Sequence, residues 1–104
     1  LPSSIAAYQV YLATLNAEDS EVSRVADRIY EDLLASGVEV LYDDRQESAG
    51  VKLKDADLFG FPVRLVVSPK SLRAESVELR ERKKKDTTLV GLEGIVTSVV
   101  ELLS

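Results

Sequence analysis

The sequence predicts an α/β fold, a three-layer α/β/α arrangement around a mixed five-stranded sheet. Three observations carry that expectation. Strand-like apolar runs alternate with helical stripes through the first part of the chain, the pattern of parallel strands joined by right-handed crossovers. Residues 76–82 alternate apolar and charged side chains, as a half-exposed antiparallel strand does. The length of 104 residues suits a single domain with one core.

Each element has its own signal. Residues 8–15 are rich in β-branched and aromatic side chains and read as a buried strand. Asn16 offers an N-cap, and Glu18, Asp19 and Glu21 put negative charge at the positive end of the coming helix. Val22, Val25, Ala26, Ile29, Leu33 and Leu34 then fall on one helical face, with Arg24, Asp27, Arg28, Glu31 and Asp32 mostly turned to water. Gly37 suits the left-handed position after the last turn. Residues 38–42 form the second strand and residues 43–50 a polar loop. A short helix follows over residues 51–59, closed by Gly60 and stopped by Pro62. Residues 62–67 make the third strand, 68–71 a turn and 76–82 the fourth strand. The basic turn 83–86 leads to a fifth strand at 87–90. Leu92, Ile95, Val96, Val99, Val100 and Leu103 give a final helical stripe.

Composition excludes several chemistries. No cysteine means no disulfide framework and no thiolate metal site. No histidine means no imidazole base, triad or metal ligand. No apolar run approaches the ~18 residues of a membrane span, and no secretory signal is present. Neither a G-x-G-x-x-G nor a Walker A loop occurs, so the strand–helix alternation does not imply a nucleotide cofactor. No methionine occurs, even at position 1, so the chain is expected to be one domain, residues 1–104, cut from a longer protein, with residues 1–4 the end of a linker.

The net charge of −5 at first argues against a nucleic-acid partner. Its distribution argues otherwise. Residues 45–85 hold 11 Lys+Arg against 6 Asp+Glu, and the remainder holds 2 against 12. A partner feels the local field rather than the total.

In open α/β sheets ligands favour the carboxyl ends of the strands. The most polar of these is Asp43-Asp44-Arg45, followed by a short helix that sets Lys52 and Asp55 three residues apart on one face. Asp43, Asp44, Asp55 and Asp57 could hold Mg²⁺ or supply an acid–base pair. The bland reading is favoured: a salt-linked loop in which Arg45, Lys52 and Lys54 neutralise the acids. Alternatively, the mixture of cations and carboxylates can read base edges, since Arg or Lys suits guanine O6/N7 and a carboxylate accepts from an amino group. Lys83, Lys84 and Lys85 either contact phosphates or are simply solvated. Tyr8, Tyr11, Tyr30 and Tyr42 can stack bases, but packing at the core or its boundary is the commoner role.

The stretches GVEVLYDDR (residues 37–45) and AGVKLKDADLFGFP (residues 49–62) carry a resemblance. They resemble the anticodon-binding domain of class II aminoacyl-tRNA synthetases, most closely the bacterial-type prolyl branch. That family shows Asp-Asp-Arg after the second strand, then Gly-x-Lys-Phe-x-Asp-Ala-Asp-Leu-x-Gly-x-Pro. Residues 4–10 resemble the family's approach to its first strand, and residues 77–82 its Val-Glu-x-Lys-x-Arg strand. Practically the whole chain is covered.

The resemblance implies binding of the anticodon stem-loop of proline tRNA. On matching positions, Asp43, Asp44, Arg45, Lys52, Asp55 and Asp57 would approach the bases, with Arg45 and Lys52 as the guanine contacts. Glu78 and Arg82 match further family positions. It also implies a non-catalytic, cytoplasmic module with no membrane role and no cofactor of its own. ATP and Mg²⁺ would belong to a separate catalytic domain of the parent enzyme, and the isolated domain would be monomeric. Four departures stand out: Ser48 where the family commonly has Arg, Leu53 for Phe, Ala7 for Pro and Ser68 for Gly. Ser48 and the net charge leave open a second reading, an accessory or interaction domain that has lost specific tRNA reading. A third, a small-molecule-binding α/β module, lacks any phosphate loop.

Overall fold

In the computed structural model, residues 8–16 and 18–104 are described. The resemblance over residues 4–7, the departure at Ala7 and the expected linker at 1–4 lie outside them. Nine elements follow in chain order: β1 (Val10–Thr14), α1 (Ser20–Ala35), β2 (Val40–Asp43), α2 (Ala49–Phe59), β3 (Val63–Val67), α3 (Pro69–Arg73), β4 (Ser76–Glu81), β5 (Thr88–Gly91) and α4 (Ile95–Leu103). The sheet order is β2-β1-β3-β4-β5. β1 runs parallel to β2 and β3, while β4 and β5 continue the sheet antiparallel. This is the mixed five-stranded sheet the sequence predicts.

The crossovers explain the layers. The chain moves outward from β1 to β2, then back past β1 to β3. Two right-handed crossovers in opposite directions place α1 and α2 on opposite faces of the sheet. On the first face, Val10, Leu12, Val40, Val63, Leu65, Val67, Val77 and Leu79 pack with Val22, Ala26, Ile29 and Leu33 of α1 and Ile95 and Val99 of α4. The other face has a much smaller apolar cluster, Tyr11 and Ala13 against Ala56 of α2 and Phe61. A period of two along the strands aligns Tyr11 with Leu41 and Arg64, and Arg64 with Arg80.

Three local expectations are corrected. The N-cap of α1 is Asp19, whose carboxylate accepts from the amides of Glu21 and Val22. Asn16 instead takes a left-handed backbone (φ 63°), and its carbonyl accepts from the Asp19 amide. Residues 68–71 are more than a turn: Ser68 and Ser71 form a reciprocal capping box that starts α3, with Pro69 in the first turn. Asp43 is the last residue of β2, buried, rather than part of the loop. Gly37, at φ 83°, does occupy the left-handed position beyond α1.

Candidate nucleic-acid interface

The carboxyl ends of β1 and β2 lie side by side, Ala13 opposite Asp43. Alternation along β2 turns the Asp43 carboxylate to the face that holds Tyr11. There the Tyr11 hydroxyl donates to Asp43 Oδ2. Arg45 approaches from the other side, with Nε and Nη2 donating to Oδ1 and Oδ2 at 2.8 Å each. The Arg45 backbone amide also donates to Oδ1. Arg45 Nη2 reaches on to Asp55 of α2 at 3.0 Å. The bidentate fork fixes the guanidinium plane while leaving about half of the Arg45 side chain exposed.

Charge states follow from this packing. Burial pushes the Asp43 carboxyl upward, but the Arg45 and Tyr11 hydrogen bonds outweigh it and bring it down to about 2. Burial, then the hydrogen bond to Asp43, drives the Tyr11 phenol well above its ordinary range. Hydrogen bonds to Asp43 and then Asp55 raise Arg45 further, so this cation is permanent.

Lys52 stands elsewhere than the expected guanine-contacting position. Its side chain is 1% exposed, and Nζ donates to the carbonyls of Thr14 (2.7 Å) and Asp43 (3.4 Å). It joins the carbonyl ends of two neighbouring parallel strands. Burial pushes this ammonium below its ordinary range, against the pull of Asp43. Its own carbonyl lies 3.2 Å from the Tyr11 hydroxyl, whose proton points to Asp43, so α2 packs against the same network.

The remaining sequence-predicted residues fall into separate places. Asp44 is exposed beside Arg45. Asp57 pairs with Arg64 at 3.2 Å, with Arg80 at 4.0 Å. Arg82 donates to the Gly60 carbonyl at 3.3 Å. These side chains, with Phe59, line a cleft of about 370 Å³ on the sheet face that α2 leaves open. Glu78 lies apart, half-buried near Lys70 and Thr87. So Asp43, Asp44, Arg45 and Asp55 gather into one cluster, Asp57 and Arg82 into a second, and Lys52 and Glu78 join neither exposed surface.

Sequence reasoning did not reach Arg64 and Arg80. The signal was available, because the same alternation that turns Leu65 inward turns Arg64 to the face of Tyr11. Tyr11 packs at the core, as its residue type predicts, and its hydroxyl also orients Asp43. Tyr42 donates to Asp27 at 2.8 Å and its ring meets Tyr30 at 5.1 Å, a contact between β2 and α1. Ser48 is the N-cap of α2, accepting from the Val51 amide at 3.2 Å. In the basic turn, Lys84 pairs with Glu81, and Arg80 Nε donates to the Lys84 carbonyl. Among the described residues, no helix is long and apolar enough to cross a membrane.

The ends of the parallel strands thus carry a loop of paired cations and carboxylates beside an arginine-lined cleft, a mixture whose chemistry can meet base edges. The chain belongs to the anticodon binding domain family, whose profile matches residues 9–102. It is 48% identical over 99 residues to a proline–tRNA ligase of Dehalococcoides mccartyi, covering 95% of this chain and 17% of that protein. It is 43% identical over 103 residues to a proline–tRNA ligase of Geobacter sulfurreducens, covering 99% of this chain and 18% of that protein. Against the proline–tRNA ligase of Moorella thermoacetica the identity is 39% over 103 residues. The chain thus spans less than one-fifth of the length of these relatives. The matched region is their anticodon-binding part, which is non-catalytic.

Proposed function

We propose that this domain recognises the anticodon stem-loop of proline tRNA and presents that tRNA to a catalytic domain of the same synthetase. The observation that carries the reading is Arg45, a permanent cation oriented by Asp43 and Asp55 yet half exposed, with the Asp44 carboxylate beside it. The proline codons, CCN, pair with anticodons that carry adjacent guanines. An unpaired guanine offers O6 and N7 to a guanidinium, and its amino group to a carboxylate. Arg45 and Asp44 supply both on one rim. Asp43 and Lys52 act from beneath, one orienting Arg45 and the other fixing the strand ends. Asp57 and Arg82 sit where the flanking nucleotides would pass, and Glu78 at the margin.

In this reading the domain takes no cofactor, and ATP and Mg²⁺ serve the catalytic part. It works in the cytoplasm and is monomeric when isolated. The Asp43–Arg45–Asp55 linkage, which keeps a half-exposed guanidinium fixed at the strand ends, supports this reading over a domain that has lost tRNA reading.

A binding titration tests the proposal. The chain is expected to bind a proline-tRNA anticodon stem-loop weakly, with affinity falling as salt rises. Arg45→Ala should weaken binding roughly 10-fold, within the range of a lost bidentate guanine contact. Equal affinity for a stem-loop with its anticodon guanines replaced would defeat the proposal.

A further inference from the structure

Phe59 is the last residue of α2, and just over half of its surface (53%) is exposed. A single exposed apolar residue needs no explanation. What distinguishes Phe59 is its position between two charged clefts. It lines the cleft of about 370 Å³ with Arg64, Arg80 and Arg82. It also lines a second cleft of about 270 Å³ with Asp44, Arg45 and Asp55.

The ring is also held. Gly60 follows at φ 67°, a left-handed cap that ends the helix at this point. Phe59 meets Phe61 edge-on, with centroids 6.1 Å apart at 65°. Phe61 is buried and stacks on Tyr11 at 5.4 Å and 27°, and Tyr11 bonds Asp43. A chain of aromatic contacts therefore runs from the exposed ring to the carboxylate that orients Arg45.

A single-stranded nucleotide asks for three things at once: a π face to lie on, polar groups at the base edge and a cation for the phosphate. Around Phe59 they lie side by side. We propose that Phe59 is the stacking platform for an unpaired base of the bound RNA loop, with that base's edge toward Arg45 and Asp44 and its phosphate toward the Arg64–Arg80–Arg82 cleft. The inference rests on the tRNA reading above and adds a residue that reading does not use. On the Arg64–Arg80–Arg82 side of the ring three arginines stand against the one carboxylate of Asp57, and that local excess favours a phosphate chain over an apolar protein segment as the occupant.

Because the ring is half exposed, its replacement leaves the buried cluster in place. The full chain contains no tryptophan, so Phe59→Trp introduces a single tryptophan at the platform, excited at wavelengths where the four tyrosines do not absorb. With a proline-tRNA anticodon stem-loop at low salt, Phe59→Leu should weaken binding roughly 10-fold, since loss of one stacked base costs about that much. Phe59→Trp should bind within about 3-fold of the unsubstituted chain and show quenched fluorescence at saturation. Unchanged affinity in Phe59→Leu, or unquenched emission from bound Phe59→Trp, overturns the inference while leaving tRNA binding intact. A Phe59→Leu chain altered only in self-association, read by sedimentation, assigns the ring to a protein contact and overturns it as well. Failure of the unsubstituted chain to bind removes the tRNA reading and this inference together.

Discussion

The sheet face under α1 and α4 and the face under α2 are made of different material. The buried cluster of the first is aliphatic, from Val10 and Leu12 to Val77 and Leu79, with Tyr30 and Tyr42 packed against it, and two amphipathic helices close it. The second has one small cluster of four buried apolar residues, and around it stand Asp43, Lys52, Arg64 and Arg80 with their polar partners. Side chains that bury area give stability without regard to partner geometry. Side chains that hold charge in fixed directions serve recognition, and they tolerate change poorly because each member satisfies another. The domain thus folds mainly on one face, and the other carries the paired charges of the candidate interface.

Three experiments bear on that division. The largest expected effect is on the aliphatic face. Leu65→Ala, at a fully buried position, should lose about 3 kcal/mol in urea unfolding. RNA affinity measured where the variant is still folded should not change. A parallel loss of affinity would erase the distinction between the faces.

The second concerns Asp43. Its carboxyl sits at about 2 in the folded chain against an ordinary 3.8. A carboxyl depressed on folding contributes stability that is complete above the unfolded value and lost as pH falls toward the folded one. The loss between pH ~4 and ~2 should be about 2 kcal/mol. Urea unfolding across that window should show this slope in the unsubstituted chain, and a reduced one in both Asp43→Asn and Tyr11→Phe. An unchanged slope in Asp43→Asn would show that other carboxyls carry the acid response.

The smallest effect separates stability from recognition at one position. Ser48→Ala should cost about 1 kcal/mol through loss of the cap on α2. Ser48→Arg should cost the same and steepen the salt dependence of RNA binding by about one unit of slope, as one added phosphate contact does. Equal salt slopes for the two variants would place residue 48 off the RNA path.

Most of the architecture was legible because the apolar pattern has only two periods. Alternation in residues 76–82 and the stripe from Val22 to Leu34 leave little freedom in strand or helix. Elements set by polar backbone bonds were less legible. Asn16 and Asp19 are both good caps by type, and only the left-handed turn at Asn16 decides between them. The five-residue α3 is too short for a periodic signal, although Ser68, Pro69 and Ser71 spell its start. In the candidate cluster, the pairing of Arg45 with Asp43 and Asp55 is legible from type and spacing. Lys52 was misplaced because a lysine on a short helix is ordinarily solvated, and nothing in the local pattern announces two strand-end carbonyls waiting above it.

That burial gives Lys52 a distinctive chemical reactivity. The chain has six lysines, and Lys54, two residues further on, is exposed while the Lys52 amine is sealed against Thr14 and Asp43. An amine acylates only when a reagent reaches it, so Lys52 reacts at the rate at which α2 lifts from the ends of β1 and β2. Lys54 reacts at the rate of open solvent. The ratio of the two, read by mass spectrometry on one peptide, is a clock for the lifting of α2 from the sheet.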